Sequence, residues 1–177
     1  MIFRPLRLNG AYLIDLEQIE DERGFNARAF CEREFDERGL PSRMVQTNII
    51  QNHQRGTLRG MHYQAPPMQD AKLFRVTRGA IYDVIVDLRP ASSTICAWEA
   101  VELRAGGPML FVPGGFGQGF QTLDDDTELT YQVSAFHSAA HGRGFRYDDP
   151  VFRIEWPLPV TVISEKDRSW RNYKVEM

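Results

Sequence analysis

No stretch of this 177-residue chain approaches the roughly 20 apolar residues that span a bilayer, and its opening, Met1-Ile-Phe-Arg-Pro-Leu-Arg7, lacks the apolar centre of an export signal. Cysteine is confined to Cys31 and Cys96, far apart and without CxxC spacing, which argues for free thiols in a reducing cytoplasm. Positive charge is not in excess: the net charge is −3, against the basic face that general nucleic-acid binding requires. Lysine is scarce, with 18 of the 21 basic residues being arginine. Arginine suits bidentate phosphate contacts, although genome composition produces the same bias. The expectation is a cytoplasmic protein without a membrane or nucleic-acid partner. At 42% hydrophobic and 25% charged residues, the composition is ordinary for a globular chain, and the length suits one domain over residues 1–177.

Helix signals are also few. Arg33-Glu-Phe-Asp-Glu-Arg-Gly-Leu-Pro41 reads as a short helix stopped by Gly39 and Pro41, and Ser164 followed by Asp167 resembles a helix start. Residues 2–20 alternate loosely around Asn9-Gly10, as one or two strands or a hairpin. A turn follows at 20–24 and a short strand from Phe25 to Phe30. Further strands are predicted at 44–51, 57–63, 72–78, 80–88, 96–103, 109–112, 119–123, 127–134 and 151–154. Many short strands between Gly- and Pro-rich turns point to an all-β sandwich or jelly-roll barrel with small peripheral helices. Within 80–87, Ile81, Asp83, Ile85 and Asp87 share one face, a mixture that suits a barrel enclosing a polar pocket.

The chemistry concentrates in Thr57-Leu-Arg-Gly-Met-His-Tyr-Gln64 and the strand after it. Within sixteen residues it supplies Arg59, His62 and Lys72: an anion clamp, a base able to titrate near neutrality and a fixed cation. That set can remove a proton beside a carbonyl on an anionic substrate. A lone strand histidine is more often structural, and the neighbouring cations are what raise His62 above that reading. Metal-binding cupin barrels carry a His-x-His pair and a further His after a Pro-x-Gly turn. Here those places read His62-Tyr-Gln64 and Pro113-Gly-Gly-Phe-Gly-Gln118, so no metal is expected. Gly114-Gly-Phe-Gly-Gln-Gly119 leads into a strand and lacks the helix start of a dinucleotide loop. Asp124-Asp-Asp126 reads as a solvated hairpin tip.

Taken together, Leu58-Arg-Gly-Met-His-Tyr-Gln64, Lys72-Leu73 and Asp83-Val-Ile-Val-Asp-Leu-Arg89 resemble the dTDP-4-dehydrorhamnose 3,5-epimerase family. Asp21-Glu-Arg-Gly-Phe25, Gln46-Thr-Asn48, Val112-Pro-Gly-Gly-Phe116, Asp148-Asp-Pro150, Ile154-Glu-Trp-Pro157 and Ser164-Glu-Lys-Asp167 follow in the family's order. The resemblance implies a cupin-type jelly roll without cofactor or metal, a homodimer exchanging N-terminal strands, and a nucleotide-linked 4-keto-6-deoxy sugar as substrate. It implies His62 as base, Asp167 as its partner, Lys72 as the cation for the enolate oxygen and Tyr131 as proton donor from the opposite face. Substrate binding would fall to Gln46, Asn48, Arg59, Gln118, His137 and Lys166, with Arg23 and Phe25 from the N-terminal hairpin, Arg23 reaching in from the partner chain.

Five positions depart from the family pattern. Gln118 stands where a pocket His is usual, Arg28 where a Glu follows Arg-Gly-Phe, Phe136-His137 where a Tyr-Tyr pair stands, and Gly142 where a Glu lies nearby. These leave three alternatives to the 3,5-epimerase: an epimerase acting at C3 alone, an enzyme for another nucleotide sugar, and a silent sugar-nucleotide-binding cupin.

Overall fold

The computed structural model describes residues 1–174. The strands are β1 Ile2–Pro5, β2 Tyr12–Asp15, β3 Gln18–Asp21, β4 Gly24–Ala27, β5 Gln46–Asn52, β6 Thr57–Gln64, β7 Lys72–Arg78, β8 Ala80–Asp87, β9 Trp98–Arg104, β10 Met109–Val112, β11 Phe116–Thr122, β12 Thr127–Val133, β13 Gly142–Gly144 and β14 Val162–Ile163. Two short helices, α1 Glu32–Asp36 and α2 Glu165–Arg168, lie outside the sheets. No described helix is long and apolar enough to cross a membrane.

One sheet has the order β1-β2-β10-β7-β12-β5, and the second has β13-β6-β11-β8-β9 with β14 alongside β6. From β5 to β8 and again from β10 to β12, successive strands switch sheets, as a jelly roll requires. The hairpin β3-β4 pairs only with itself.

Three apolar layers hold this arrangement. Between the sheets, Phe74, Val76, Ile81, Ile85, Leu110, Phe116, Phe120 and Leu129 interdigitate. The outer face of the first sheet is covered by the N-terminus and α1, with Phe35 packed against Phe3, Phe30 and Phe111. The outer face of the second sheet is covered by the chain after β13, which lays Phe145, Phe152 and Ile154 over Met61, Val84 and Val86. Both faces of β8 are therefore buried, which explains its unbroken apolar character. Its mixed face, Ile81 with Asp83 and Ile85, lies in the apolar core and does not line an open polar pocket.

The strand predicted at 151–154 does not form. Asp149 dictates a turn there: its carboxylate accepts from Val151 N–H at 3.0 Å and its carbonyl accepts from Phe152 and Arg153. Arg153 takes a positive φ of 51°, so Phe152 and Ile154 enter the core from a loop. The strand expected at 119–123 begins earlier, at Phe116, because Gly117 and Gly119 lie within the sheet. The strand expected from 96 starts at Trp98, since Cys96 also has positive φ. β13 and the two residues of β14 were too short to show a period of their own.

Phe35 is fully buried among three other rings, so Phe35→Ala should cost about 3–5 kcal/mol in denaturant unfolding, with the slope unchanged.

Candidate functional site

Between the sheets, at one end of the barrel, lies a cavity of about 660 Å³. Its two walls carry different chemistry. The β6-β11 wall presents Arg59, His62 and Gln118, while the facing wall presents Gln46 and Asn48 from β5, Lys72 from β7 and Tyr131 from β12. His137 comes from the loop after β12, and Lys166 and Asp167 come from α2. Ten of the twelve residues singled out in the sequence therefore meet in one space. Arg23 and Phe25 do not line it: both sit on the exposed β3-β4 hairpin, where Arg23 pairs with Asp21.

The pair His62–Asp167 is the best-defined feature. His62 Nε2 is 2.6 Å from Asp167 Oδ1, and Gly60 N–H donates to Asp167 Oδ2 at 3.2 Å. The carboxylate side chain is 5% exposed and the imidazole 43%. Burial works against the charge of Asp167. The His62 ring, the Gly60 N–H and Ser164 more than offset it, holding the carboxyl below its ordinary value.

Local sequence explains how these groups meet. β14 pairs in parallel with the start of β6, Val162 against Thr57 and Ile163 against Leu58, which lays the tail beside the strand that bears His62. Ser164 then caps α2, its hydroxyl accepting from Asp167 N–H at 3.0 Å. Gly60 has φ +140°, and a Cβ there would lie 2.5 Å from Gly119 Cα. The register between β6 and β11 shifts at this point, between Gln118↔His62 and Phe120↔Arg59. The irregularity and the two glycines let the strands approach closely while aiming His62 into the cavity.

Lys72 Nζ lies 3.8 Å from Asp70 on the opposite wall, both largely buried. Tyr131 stacks on Phe74 with ring centroids 5.0 Å apart and planes 10° from parallel. Burial, and then the charge of Asp70, raise the Tyr131 phenol above its usual value, while Arg59 pulls it down. Tyr131 therefore carries its proton at neutral pH. Arg59 is steered by Asn52, whose side-chain oxygen accepts from its Nε at 2.8 Å. The loop bearing His137 is fastened by Gln46 Oε1, which accepts from His137 N–H, and by Gln64, which accepts from Ser138 N–H.

Sequence reasoning missed Asp70, Asn52, Arg143 and Trp170. Asp70 stands two residues before Lys72, a spacing that favours a shared face and was the available signal. Trp170 could not be placed, because nothing in the tail announces that it packs over Gly144, where a Cβ would come within 2.4 Å of its ring. Among the described residues, no three of His, Cys, Asp and Glu gather as a metal-ligand set. Of the departures, Gln118, His137 and Gly142 border the cavity, while Arg28 is bound outside it to Glu34 at 3.0 Å.

A jelly roll with a carboxylate-held histidine on one wall and a lysine and tyrosine on the other has the layout of a cupin-like isomerase site, able to take a proton on one side of a carbon and return one on the other. The comparisons agree with that class. The family profile described as dTDP-4-dehydrorhamnose 3,5-epimerase matches residues 5–174. A protein of that name from Sinorhizobium fredii is 42% identical over 171 residues, covering 96% of this chain and 88% of its own. The crystal structure of dTDP-4-dehydrorhamnose 3,5-epimerase from Bacillus anthracis with TDP and pyrophosphate bound is 35% identical, with a TM-score of 0.93 over 97% of this chain and 99% of that one. A 3′-monoepimerase from Streptomyces bikiniensis, solved with dTDP-quinovose, is 31% identical, with a TM-score of 0.86 over 96% and 86%. The chain belongs to the dTDP-4-dehydrorhamnose 3,5-epimerase family.

The depressed value of Asp167 fixes the sign of a pH effect. Its pairing contributes stability above the ordinary carboxylate range, and that contribution is lost as pH falls through the lowered value. In urea unfolding at stepped pH, wild type should exceed Asp167→Asn most at neutral pH, and the two should converge in acid.

Proposed function

We propose that this chain is a cofactor-free epimerase of a dTDP-linked 4-keto-6-deoxyhexose, formed by a single domain over residues 1–177. The observation that carries the reading is the placement of His62 and Tyr131 on facing walls of one cavity. In this proposal His62, oriented by Asp167, removes the proton next to the C4 ketone. The electron pair moves into an enolate, whose oxygen is met by the Lys72 ammonium. Tyr131 then donates to the opposite face of the same carbon, which inverts it. A proton adjacent to a ketone becomes removable when the developing oxyanion meets a cation already in position, so the step calls for no redox partner.

Arg59, Gln46, Asn48, His137 and Lys166 ring the cavity and are the proposed contacts of the nucleotide and its phosphates. Arg23 and Phe25 would join them from the partner of a homodimer. Support for that assembly comes from the unpaired β3-β4 hairpin and its exposed Ile19 and Phe25, together with exposed Ile2 and Ile49 on the two edge strands of the first sheet. A cytoplasmic location belongs to the same proposal and is supported by the two free thiols.

His62→Ala should lower turnover by about 10²–10⁴-fold while leaving dTDP affinity nearly unchanged, as measured by steady-state kinetics and calorimetry. Near-normal turnover would remove His62 as the base. Mixing Arg23→Ala with His62→Ala chains should restore part of the activity if the site is shared, and a monomer with full turnover would exclude sharing.

A second reading, epimerisation at C3 only, is favoured by the similarity to the 3′-monoepimerase and by the departures Gln118 and His137 at the cavity. Following dTDP-4-keto-6-deoxyglucose in D₂O by NMR decides between them. We expect exchange at both carbons, C3 faster, since one lost pocket hydrogen bond changes a pose population by up to about tenfold. Exchange at C3 alone would select the monoepimerase, and no exchange at either with nucleotide bound would point to a different nucleotide sugar or to the silent binding module.

A further inference from the structure

One carboxyl in the barrel stands apart from the chemistry described so far. Asp83 on β8 is wholly buried. Its side-chain partner is Gln118, whose Nε2 lies 3.1 Å from both carboxyl oxygens. Lys72, on the facing sheet, is the cation whose charge reaches Asp83, yet it makes its ion pair with Asp70. The strand neighbours of Asp83 are Phe120 on β11 and Val101 on β9, both apolar. Gln118 borders the cavity and stands opposite His62 in the β6-β11 register. Its other amide atom, Oε1, is buried without a hydrogen-bond partner.

Two costs therefore sit side by side. A buried carboxylate met by one neutral amide is poorly compensated, and an orphaned buried carbonyl oxygen forfeits its hydration. An amide has nearly the same shape either way round. Turned over, with one proton on Asp83, it removes the first cost and satisfies Oε1: the Asp83 O–H donates to Gln118 Oε1, and the NH₂ group takes the place of the unpartnered oxygen, where it needs an acceptor that the protein does not supply.

We propose that Asp83 and Gln118 form a neutral pair, Asp83 O–H donating to Gln118 Oε1, and that the Gln118 NH₂ group is thereby presented to the cavity as a donor to an oxygen of the bound sugar. The sugar contact rests on the proposed function, whereas the neutral pair does not. Burial pushes the Asp83 carboxyl up to about 8, against the opposing pulls of Gln118 and Lys72. Asp83 is a positioning residue acting through Gln118, and Gln118 is the group that meets the ligand. Glutamine cannot ionise, so this donor is fixed, whereas its neighbour His62 exchanges protons.

Infrared difference spectra of wild type against Asp83→Asn test the charge. At about pH 6, well above the ordinary carboxylate range, wild type should show a protonated-carboxyl band that the variant lacks and that fades as pH rises through about 8. A carboxylate band at that pH instead overturns the neutral pair. Stability supplies an independent readout. A carboxyl with a raised folded value holds its proton longer when folded, so wild type loses stability as pH rises from 3.8 to about 8, and Asp83→Asn should lack that loss.

Calorimetry with dTDP and with dTDP-glucose tests the donor. Gln118→Leu should weaken dTDP-glucose by up to about tenfold and leave dTDP unchanged. Gln118→His can accept from Asp83 at one ring nitrogen and donate to the ligand from the other, and should recover most of the loss. Equal weakening of both ligands, no weakening, or no recovery with His overturns the donor. A wild-type chain that binds neither ligand overturns the functional reading and the sugar contact with it, and the infrared band still decides the state of Asp83.

Discussion

A buried carboxylate must be matched by donors, and in this protein the matching of Asp167 organises the end of the barrel. Its two oxygens meet the His62 ring and the Gly60 N–H, and the backbone that carries it is capped by Ser164. Each donor belongs to a different structural decision. His62 requires β6 to run through the sheet between β13 and β11. Gly60 requires the close approach to Gly119. Ser164 requires β14 to bring the tail alongside β6. If any one is lost, a nearly buried charge is left with one donor fewer. Asp167 is thus held by groups 105 and 107 residues away in sequence.

The two sheets divide the remaining work. A base and an acid that act on one carbon from opposite sides cannot come from adjacent positions on one strand, because their side chains would share a face or point apart. Two facing sheets meet this requirement of the proposed reaction, with His62 and Tyr131 on opposite walls of one cavity. The cation is constrained in the same way. Lys72 sits on the wall away from His62, where Asp70 balances it at 3.8 Å, a separation that holds the ammonium in place without a short ion pair occupying it. Tyr131, held flat against Phe74, has few orientations left.

What could be read in the sequence follows from how local each signal is. The strands over 57–64, 72–78, 80–87 and 127–133 carry dense β-forming residues bounded by turn signals, and they were legible. So was the Ser164 cap, a four-residue pattern. His62, Lys72 and Asp167 were recoverable because family motifs mark them. Residues 151–154 were misread because Phe152 and Ile154 alternate like a strand, while the Asp149 turn that places them depends on a single carboxylate. Asn52 and Trp170 were missed for a related reason. They meet their partners, Arg59 and Gly144, only in three dimensions, whereas Asp70 stands two residues before Lys72 and carried a local signal. The residues that touch a reacting group can be named from a motif; those that hold them in place need the fold.

The departures from the family pattern are not all of one kind. Phe136, His137 and Gly142 lie on or beside the loop after β12, at the rim, where side chains can vary without disturbing the sheets. Arg28 is outside the cavity altogether, bound to Glu34. Gln118 alone sits in the middle of a central strand, between His62 on one side and Ile85 on the other, with a buried acid behind it. A change at the rim alters which ligand is welcomed and leaves the reacting groups as they were. A change at Gln118 alters the polarity of the cavity wall itself, one strand away from the histidine. Gln118 is nearly buried, so a mismatched donor or acceptor there costs more than one at an exposed position.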